Sequence, residues 1–520
     1  MNLKLKNTFT DNLPADSNSE NSRRQVLNAC FSYVNPKETS KPELLHVSTE
    51  VLQDLGLSKA DSETDDFLKV FTGNQIPKGS KPYAMCYGGH QFGQWAGQLG
   101  DGRAINLGDV QHDSQSWELQ LKGAGETPYS RSADGLAVLR SSIREYLCSE
   151  AMYHLGVPTT RALSLALTGD QVLRDVMYDG NPAYEKGAIV CRVAPSFLRF
   201  GNYEIFTARQ DLETLKTLLD FTIKQYFQHL GEPSKDTYIN FFEEVMQSTL
   251  SMIIHWQRVG FVHGVMNTDN MSILGLTIDY GPYGWLEGFD YEWTPNTTDS
   301  QHKRYRFGNQ PNIGLWNLYQ LANALYPLIE EAEPLETILN AYKTDFEIKS
   351  LVMMRSKLGL ELQLENDKKL IEDLEDVLQL SETDMTIFFR NLANVQKDDS
   401  DNSLQVVEKA FYKPNEISDV VRQTWVNWMN TYKSRLKKEN LSDGERKAKM
   451  NAVNPKYVLR NYMAQLAIDA AEKGDYQLID ELQQLLKKPY GEQPCNEKWF
   501  AKRPEWARYK VGCSMLSCSS

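Results

Sequence analysis

The chain has 520 residues, of which 41% are apolar and 24% are charged, so it can bury large cores in two or three packed units. Its net charge of −13 argues against nucleic acid and anionic membrane surfaces as partners, although a local basic pocket could still bind phosphates. The longest run without a charged residue, 307–329, contains many polar residues and two prolines, which excludes a membrane span there.

The first residues and the cysteines bear on cellular location. No apolar stretch of the signal-peptide type follows Met1, and the seven cysteines include no C-x-x-C pair. We therefore expect a cytoplasmic protein without a disulfide framework. Cys513 and Cys518 lie near the chain end, which is usually exposed, so a thiol redox role through this pair is kept as an alternative function.

Residues 1–80 form a largely polar leader in which the pattern predicts two short helices, at 48–55 and 65–72. No chemistry is predicted in this leader. Its expected role is to pack against the unit that follows it.

A glycine-rich segment follows at 86–104, with six glycines between 88 and 102. Glycine allows positive φ and close approach of the backbone, and successive N–H groups can then bind an anion. Gly100 and Gly102 are the candidate positions for such an approach, and Arg103 adds a cation that can reach a phosphate. Glycine-rich turns more often only connect strands, and both interpretations stay open here.

The next segment, 117–122, alternates apolar and polar residues, which predicts a half-buried strand with Lys122 on its polar face. A helix is predicted from Asp134, which is placed to cap it, to about residue 155. Glu145 lies off the apolar stripe of this helix and has no cationic neighbour three or four residues away. It is either a solvated carboxylate or the partner of the strand lysine.

Two more strands are predicted, at 156–168 and 187–194. Arg192 falls on the second one among apolar residues, where an uncompensated guanidinium would be costly. Arg192 and the nearby Arg199 therefore need an anion, and the local sequence does not distinguish a salt bridge from a bound phosphate.

After two predicted helices, at 211–230 and 238–259, the segment 263–281 has the outline of a protein-kinase catalytic loop followed by the metal-binding D-F-G. Asn270 takes the place of the metal-binding asparagine, and Asp279 that of the D-F-G aspartate. Val265 fills the place of the catalytic aspartate, and valine cannot accept a proton. The pattern predicts a nucleotide site that keeps its metal ligands and lacks the usual base.

The glycine-rich segment, strand lysine, helix glutamate and catalytic-like loop occur in the order typical of protein kinases. We therefore predict an α+β, protein-kinase-like fold of two lobes, with a mixed β-sheet N-lobe at 81–208 and a mainly helical C-lobe at 209–400. The helical pattern continues, which predicts a C-terminal helical extension with a cysteine-containing tail at 401–520.

Three long motifs resemble those of the selenoprotein O family, the YdiU-like pseudokinases. They are CYGGHQFG at 86–93, LQLKGAGETPYSR at 119–131 and HGVMNTDNMS at 263–272, and the resemblance covers nearly the whole chain. The family is protein-kinase-like in fold. Its activity is that of an adenylyltransferase, which moves AMP from ATP to Ser, Thr or Tyr hydroxyls of proteins, with the nucleotide in a flipped orientation relative to kinases.

The resemblance implies roles for individual residues. Asp269 is implied as the proton acceptor, and Asn270 and Asp279 as metal ligands. The implied nucleotide contacts, with Glu145 orienting the lysine, are Gly100, Gly102, Arg103, Lys122, Asp134, Gly135, Arg192, Arg199 and Asp279.

The resemblance also implies Mg²⁺ or Mn²⁺ as cofactor, ATP as substrate and proteins as acceptors, with UTP left open as a second donor. A monomer is expected. An ordinary phosphotransferase and a nucleotide-binding scaffold without transfer activity remain alternatives beside the redox protein. In the family the tail is thought to be joined to the activation segment by a disulfide, which is not expected here because residues 281–309 contain no cysteine.

Overall fold

The computed structural model describes residues 1, 3–398, 403–513 and 515–517 of an α+β protein. Its strands concentrate before residue 195, and helices dominate after it. The strands are β1 Leu5–Lys6, β2 Phe31–Tyr33, β3 Glu43–Val47, β4 Tyr83–Met85, β5 Gly88–Gln91, β6 Gln94–Gln98, β7 Ala104–His112, β8 Gln115–Lys122, β9 Arg161–Arg174, β10 Ala183–Ala194, β11 Phe261–Val262 and β12 Gly284–Trp285.

The helices follow the same chain order. They are α1 Thr8–Asn12, α2 Thr49–Asp54, α3 Lys59–Ser62, α4 Asp65–Phe71, α5 Leu139–His154, α6 Phe200–Ala208, α7 Leu212–Tyr226, α8 Lys235–Val259, α9 Gln310–Ile329, α10 Ala332–Leu358, α11 Asp367–Gln379, α12 Met385–Leu392, α13 Ser403–Glu408, α14 Asp419–Leu436, α15 Asp443–Val453, α16 Asn461–Ala471 and α17 Gln477–Leu486. The two short helices predicted in the leader are confirmed as α2 and α4.

An eight-stranded sheet has the order β2-β4-β7-β8-β10-β9-β3, with β1 paired to β7. All of its ladders are antiparallel, so the prediction of a mixed sheet is wrong. Neighbours such as β7 and β8 are joined by a two-residue turn, in which Asp113 (φ 45°) and Ser114 (φ 66°) both have the positive φ of a type I′ hairpin. Residues 1–80 contribute β1, β2 and β3 to this sheet.

Both faces of β8 are buried, contrary to the half-buried strand predicted from its alternation. Glu118 and Gln120, on its polar face, are 4% and 0% exposed. Glu118 accepts hydrogen bonds from the Phe197 amide (3.1 Å) and the Tyr226 hydroxyl (3.0 Å). Burial raises the pKa of Glu118 to about 8, against the opposing effect of these donors. The polar face of β8 is therefore covered by α7 and by the segment after β10, and it is not exposed to solvent.

The helix α5 begins at Leu139, so the predicted capping role of Asp134 is wrong. Asp134 instead forms an ion pair with Arg174 (2.7 Å) and accepts from the Leu136 amide. The intervening residues cannot be helical because Val138 forms a β-bridge with Gly187 in β10. This stretch ties the N-terminal end of α5 to the sheet, which fixes the position of Glu145 one and a half turns into the helix.

The 25-residue helix α8 leads directly to the catalytic-like loop. Gly260, at φ 73°, ends it in the left-handed conformation that favours glycine. The chain then forms β11 and a 3₁₀ turn at Thr268–Asn270, which carries the candidate catalytic residues.

The C-terminal helices pack back onto the sheet-containing part of the chain. Gln483 donates to the Tyr146 hydroxyl in α5 (3.1 Å), and Lys487 pairs with Glu50 in α2 (2.8 Å). Lys186 in β10 donates to the backbone carbonyl of Glu472 (2.8 Å). The division into four units and the kinase-like arrangement of two lobes stay predictions. Across the described ranges, no helix is both long and apolar enough to cross a membrane.

Candidate active site

The centre of the site is the Asp279 carboxylate, held between two buried arginines. Its Oδ1 lies 2.5 Å from Arg192 Nη1, and its Oδ2 lies 2.5 Å from Arg199 Nη1. Burial opposes ionisation, but Arg199 and Arg192 hold the pKa of Asp279 well below its usual range. Asp279 has φ 58°, a strained conformation for a non-glycine residue that is common at functional sites.

A second carboxylate links the arginines to the strand lysine. Glu145 Oε2 lies 2.6 Å from Lys122 Nζ, and its Oε1 accepts from Arg192 Nη1 at 3.1 Å. Burial lowers the pKa of Lys122, and the neighbouring cations Arg192 and Arg103 add to this effect while Glu145 opposes it. The interpretation of Glu145 as a solvated carboxylate is therefore wrong, since its side chain is 4% exposed and engaged by two cations.

The arginines keep unused hydrogen-bond donors. Arg192 Nε and Arg199 Nη2 are buried and have no hydrogen-bond partner in the part of the chain that the structure describes. Arg192 Nη2 donates to Gln120, and Arg199 stacks on the Tyr87 ring at 4.5 Å, so both guanidinium groups are fixed in place. Buried donors without partners cost free energy unless a ligand satisfies them, and guanidinium groups match phosphate oxygens. The salt bridges therefore leave each arginine a donor of the kind that a phosphate oxygen accepts from.

Asp269 lies beside this cluster on the 3₁₀ turn. Its backbone carbonyl accepts from Arg199 Nη1 (2.9 Å), while its carboxylate Oδ1 is buried and has no hydrogen-bond partner within the described ranges. Burial raises the pKa of Asp269 to about 7, with Arg199 acting in the opposite direction. An unpaired carboxylate oxygen of this basicity can accept a proton.

The neighbouring loop is fixed by His263 and Asn270. His263 Nε2 donates to the Ile278 carbonyl (2.9 Å) and its Nδ1 faces the Val265 amide (3.4 Å), which ties the loop to the residue before Asp279. Asn270 Nδ2 donates to the Val265 carbonyl (2.9 Å), leaving Oδ1 as the acceptor atom of this amide. Val265 therefore takes part in the hydrogen bonds of this loop through its backbone.

The donor set suits a hard divalent cation. Asn270 and Asp279 offer amide and carboxylate oxygens, the ligands that Mg²⁺ and Mn²⁺ prefer. In the part of the chain that is described, no group of three or more His, Cys, Asp or Glu side chains is arranged to hold a metal. Two protein ligands are the number typical where Mg²⁺ binds together with nucleotide phosphates and water.

The glycine positions lie in turns adjoining this cluster. A Cβ on Gly100 would lie 2.4 Å from the Tyr129 ring, and one on Gly135 would lie 2.2 Å from the backbone of Gly125. The amide of Gly123, next to Lys122, donates to the Arg103 carbonyl (2.7 Å), and the Gly125 amide donates to the Gly135 carbonyl (3.1 Å). A Cβ on Gly102 would meet the Tyr129 carbonyl at 2.9 Å. Backbone hydrogen bonds of Gly123 and Gly125, which follow Lys122 in the chain, therefore join the end of β8 to these turns. Asp134 pairs with Arg174.

The first half of the glycine-rich segment contacts the catalytic-like loop, which the sequence interpretation missed. The β5–β6 hairpin places the His90 amide 2.7 Å from Thr268 Oγ1 and Gln91 Nε2 3.4 Å from Asp269 Oδ2. Tyr87 and Gln120, which hold the two arginines, were also not singled out. The CYGGHQFG motif contains Tyr87, and the alternating pattern of β8 contains Gln120. Neither pattern indicates which loop a hairpin contacts.

Gly89 allows the hairpin to approach the proposed base. An added Cβ would lie 2.9 Å from Asp269 Oδ1, in a backbone conformation that alanine can adopt. We expect Gly89→Ala to lower turnover about tenfold or more by displacing this carboxylate, because small misplacements of reacting groups have large effects on rate. Steady-state transfer assays check this, with Gly444→Ala as the matched control, since a Cβ there meets nothing within 4 Å. Equal losses in both variants would contradict the contact.

The described part of the tail docks beside the site through backbone hydrogen bonds. Thr297 N donates to the Leu516 carbonyl (2.8 Å), and Leu516 N donates to the Pro295 carbonyl (3.2 Å). Cys513 is free and buried, and burial raises the pKa of its thiol to about 11, which argues against a reactive thiolate there. Cys518 lies outside the described residues.

Comparisons with known proteins cover the whole region just described. A family model described as protein adenylyltransferase SelO matches residues 16–487. Relatives named protein nucleotidyltransferase YdiU include those of Flavobacterium johnsoniae, 63% identical over 100% of both chains, and of Rhodopirellula baltica, 55% identical over 100% of this chain and 99% of the relative. The relative from Aromatoleum aromaticum is 55% identical over 100% of both chains.

Proposed function

Because the chain belongs to the SelO family of protein adenylyltransferases, we propose that it transfers AMP from ATP to serine, threonine or tyrosine hydroxyls of proteins. The chain is a nucleotidyltransferase. One observation carries the finer proposal: a proton-accepting carboxylate with an unpaired oxygen, Asp269, lies beside a buried arginine pair that has unused donors, while the kinase base position holds Val265.

The proposed step is an in-line attack on the α-phosphorus. The acceptor O–H bond breaks as Asp269 takes the proton, the new bond forms between the acceptor oxygen and the α-phosphorus, and pyrophosphate leaves with the electron pair of the broken P–O bond. Arg192, Arg199 and Lys122 hold the phosphates and stabilise the charge that develops on the leaving group. Glu145 is a positioning residue because it orients Lys122 and Arg192.

The remaining contacts follow from the neighbouring turns. We assign Gly100, Gly102, Arg103, Asp134 and Gly135 to the nucleotide, and the backbone hydrogen bonds from Gly123 and Gly125, which follow Lys122, to the Arg103 and Gly135 carbonyls support the part of this assignment that concerns those two residues. Asn270 and Asp279 would hold Mg²⁺ or Mn²⁺. When bound, such an ion neutralises phosphate charge. UTP is proposed as a second donor.

The Lys122–Glu145 ion pair supports the kinase-like part of the proposal. It joins β8 to α5, as the ion pair between a strand lysine and a helix glutamate does in protein kinases. We therefore propose two lobes, at 81–208 and 209–400, with the nucleotide between them in the flipped orientation.

A monomer in the cytoplasm is proposed too. The free buried cysteines, such as Cys148 and Cys191, suit a reducing compartment.

Incubation with ATP labelled at either the α- or the γ-phosphate tests the proposed function. The expected result is α-label on the protein acceptor, or on the enzyme itself, together with release of γ-labelled pyrophosphate. Label from the γ-phosphate on the acceptor would show a phosphotransferase. Nucleotide binding with neither label transferred would show a scaffold.

A further inference from the structure

The β5–β6 hairpin exposes two large aromatic side chains next to the proposed base. Phe92 is 38% exposed and Trp95 is 40% exposed. The same hairpin contacts the 3₁₀ turn through the His90 amide and through Gln91. Large exposed apolar side chains grouped beside a reacting group are typical of surfaces that bind another molecule.

The Asp269 side chain faces this hairpin. Its backbone carbonyl contacts Arg199 in the phosphate cluster, whereas its carboxylate lies against Gly89 and Gln91. The hairpin therefore forms one wall of the place where an acceptor hydroxyl would give its proton to this carboxylate.

The segment 302–306 is attached to the same place. The Phe92 amide donates to the Tyr305 hydroxyl (2.9 Å), and this hydroxyl donates to Asn267 Oδ1 (2.6 Å), two residues before Asp269. The Phe92 and Tyr305 rings are in contact, with centroids 5.3 Å apart. This segment reads His-Lys-Arg-Tyr-Arg, a concentration of positive charge in a chain whose net charge is −13.

Arg304 in this segment has buried donors without partners. Its guanidinium lies 4.6 Å from the centre of the Trp316 ring and against Gly93 of the hairpin turn. Among the described residues, its buried Nε and Nη2 have no hydrogen-bond partner. Two carboxylates near this segment are already engaged: Asp299 accepts from the amides of residues 304 and 305, and Glu292 pairs with Arg306. Glu204 pairs with His90 of the hairpin.

We propose that Phe92, Trp95, Arg304 and Trp316 form an acceptor surface that binds an acidic segment of the protein substrate, with an Asp or Glu side chain near the modified hydroxyl paired to Arg304. This inference rests on the proposed function and adds the class of acceptor to it. A carboxylate matches the planar guanidinium and satisfies donors that are otherwise costly. The exposed aromatic rings cover the apolar part of the same segment.

The test uses synthetic peptides with one Ser, Thr or Tyr flanked by glutamates, each with a glutamine-flanked and a lysine-flanked counterpart, and α-labelled ATP. We expect the enzyme to prefer the glutamate peptide over its glutamine counterpart by about tenfold in kcat/KM, the size of one charge-assisted contact. Arg304→Gln should abolish this preference, and Arg304→Glu should shift it towards the lysine peptide. The KM for ATP should stay unchanged in both variants.

Arg306→Gln is the matched control, because Arg306 lies two residues away and is paired with Glu292 (2.9 Å). It should keep the glutamate preference. Equal rates on the glutamate and glutamine peptides, labelling of proteins but of no glutamate peptide, the same loss in both glutamine variants, or a raised KM for ATP in Arg304→Gln would each overturn the inference while leaving AMP transfer standing. Absence of α-label on any acceptor would reject the proposed function and the inference with it.

Discussion

Asp279→Asn is expected to reduce AMP transfer about a thousandfold or more, because it removes both the proposed metal ligand and the anion that orders two arginines. The same change leaves Arg192 and Arg199 without their shared carboxylate, so we also expect a loss of up to roughly 3 kcal/mol in the free energy of unfolding. Binding of metal-free ATP should persist or strengthen, since the freed guanidinium groups remain available to phosphates. The increase of affinity with Mg²⁺ should disappear.

Transfer assays with α-labelled ATP, thermal unfolding and nucleotide titration with and without Mg²⁺ separate these effects. Asp367→Asn is the matched control: Asp367 is 1% exposed and pairs with Arg435 (2.6 Å) in the helical region. It should lose comparable stability and keep transfer. If Asp279→Asn retained more than a tenth of the activity, the assignment of Asp279 as metal ligand would be refuted.

Asp269→Asn should lower the transfer rate about 10²–10⁴-fold, the range lost when a general base is removed. Asparagine is isosteric and the backbone carbonyl that contacts Arg199 is retained, so nucleotide affinity and thermal stability should change little. The structural basis is the unpaired Oδ1, which has the acceptor capacity that Val265 lacks.

Single-turnover rates at saturating ATP, with the affinity for ATP measured separately, provide the readout for this second substitution. Asp290→Asn, an exposed position in the following segment, serves as the control and should behave like the unmodified protein. Transfer by Asp269→Asn within threefold of the unmodified rate would mean that the acceptor proton leaves by another route.

Much of the fold was accessible from local patterns. The spacing of apolar residues predicted α5 and α8, and α8 was correctly expected to end at residue 259. The errors have a common cause: the structure that a local sequence pattern favours is overridden by contacts with residues distant in the chain. Asp134 has the chemistry of a helix cap, yet the bridge between Val138 and Gly187 delays the helix. Glu118 alternates like a solvent-facing residue, yet Tyr226 of α7 covers it.

The candidate site was likewise predictable only in part. The residue types that carry charge, bind phosphate or donate oxygen to a metal could be identified from motif order alone, since each pattern is local. Their mutual contacts could not, because Lys122, Glu145, Arg192 and Asp279 come from four separate elements that only the packed sheet and helices bring within 2.5–3.1 Å.

The sequence by itself determined the family, the α+β class and the substitution of valine for the kinase base, because these depend on residue identity and spacing. Only the tertiary structure decided that Asp279 is held by two arginines, that the Asp269 carboxylate faces the β5–β6 hairpin, and that Arg304 keeps buried donors without partners. These features depend on the distances between segments as much as 178 residues apart in the sequence, and on the burial that results when those segments pack together. Periodicity does not encode them, since it reports which face of an element is buried and not what covers that face.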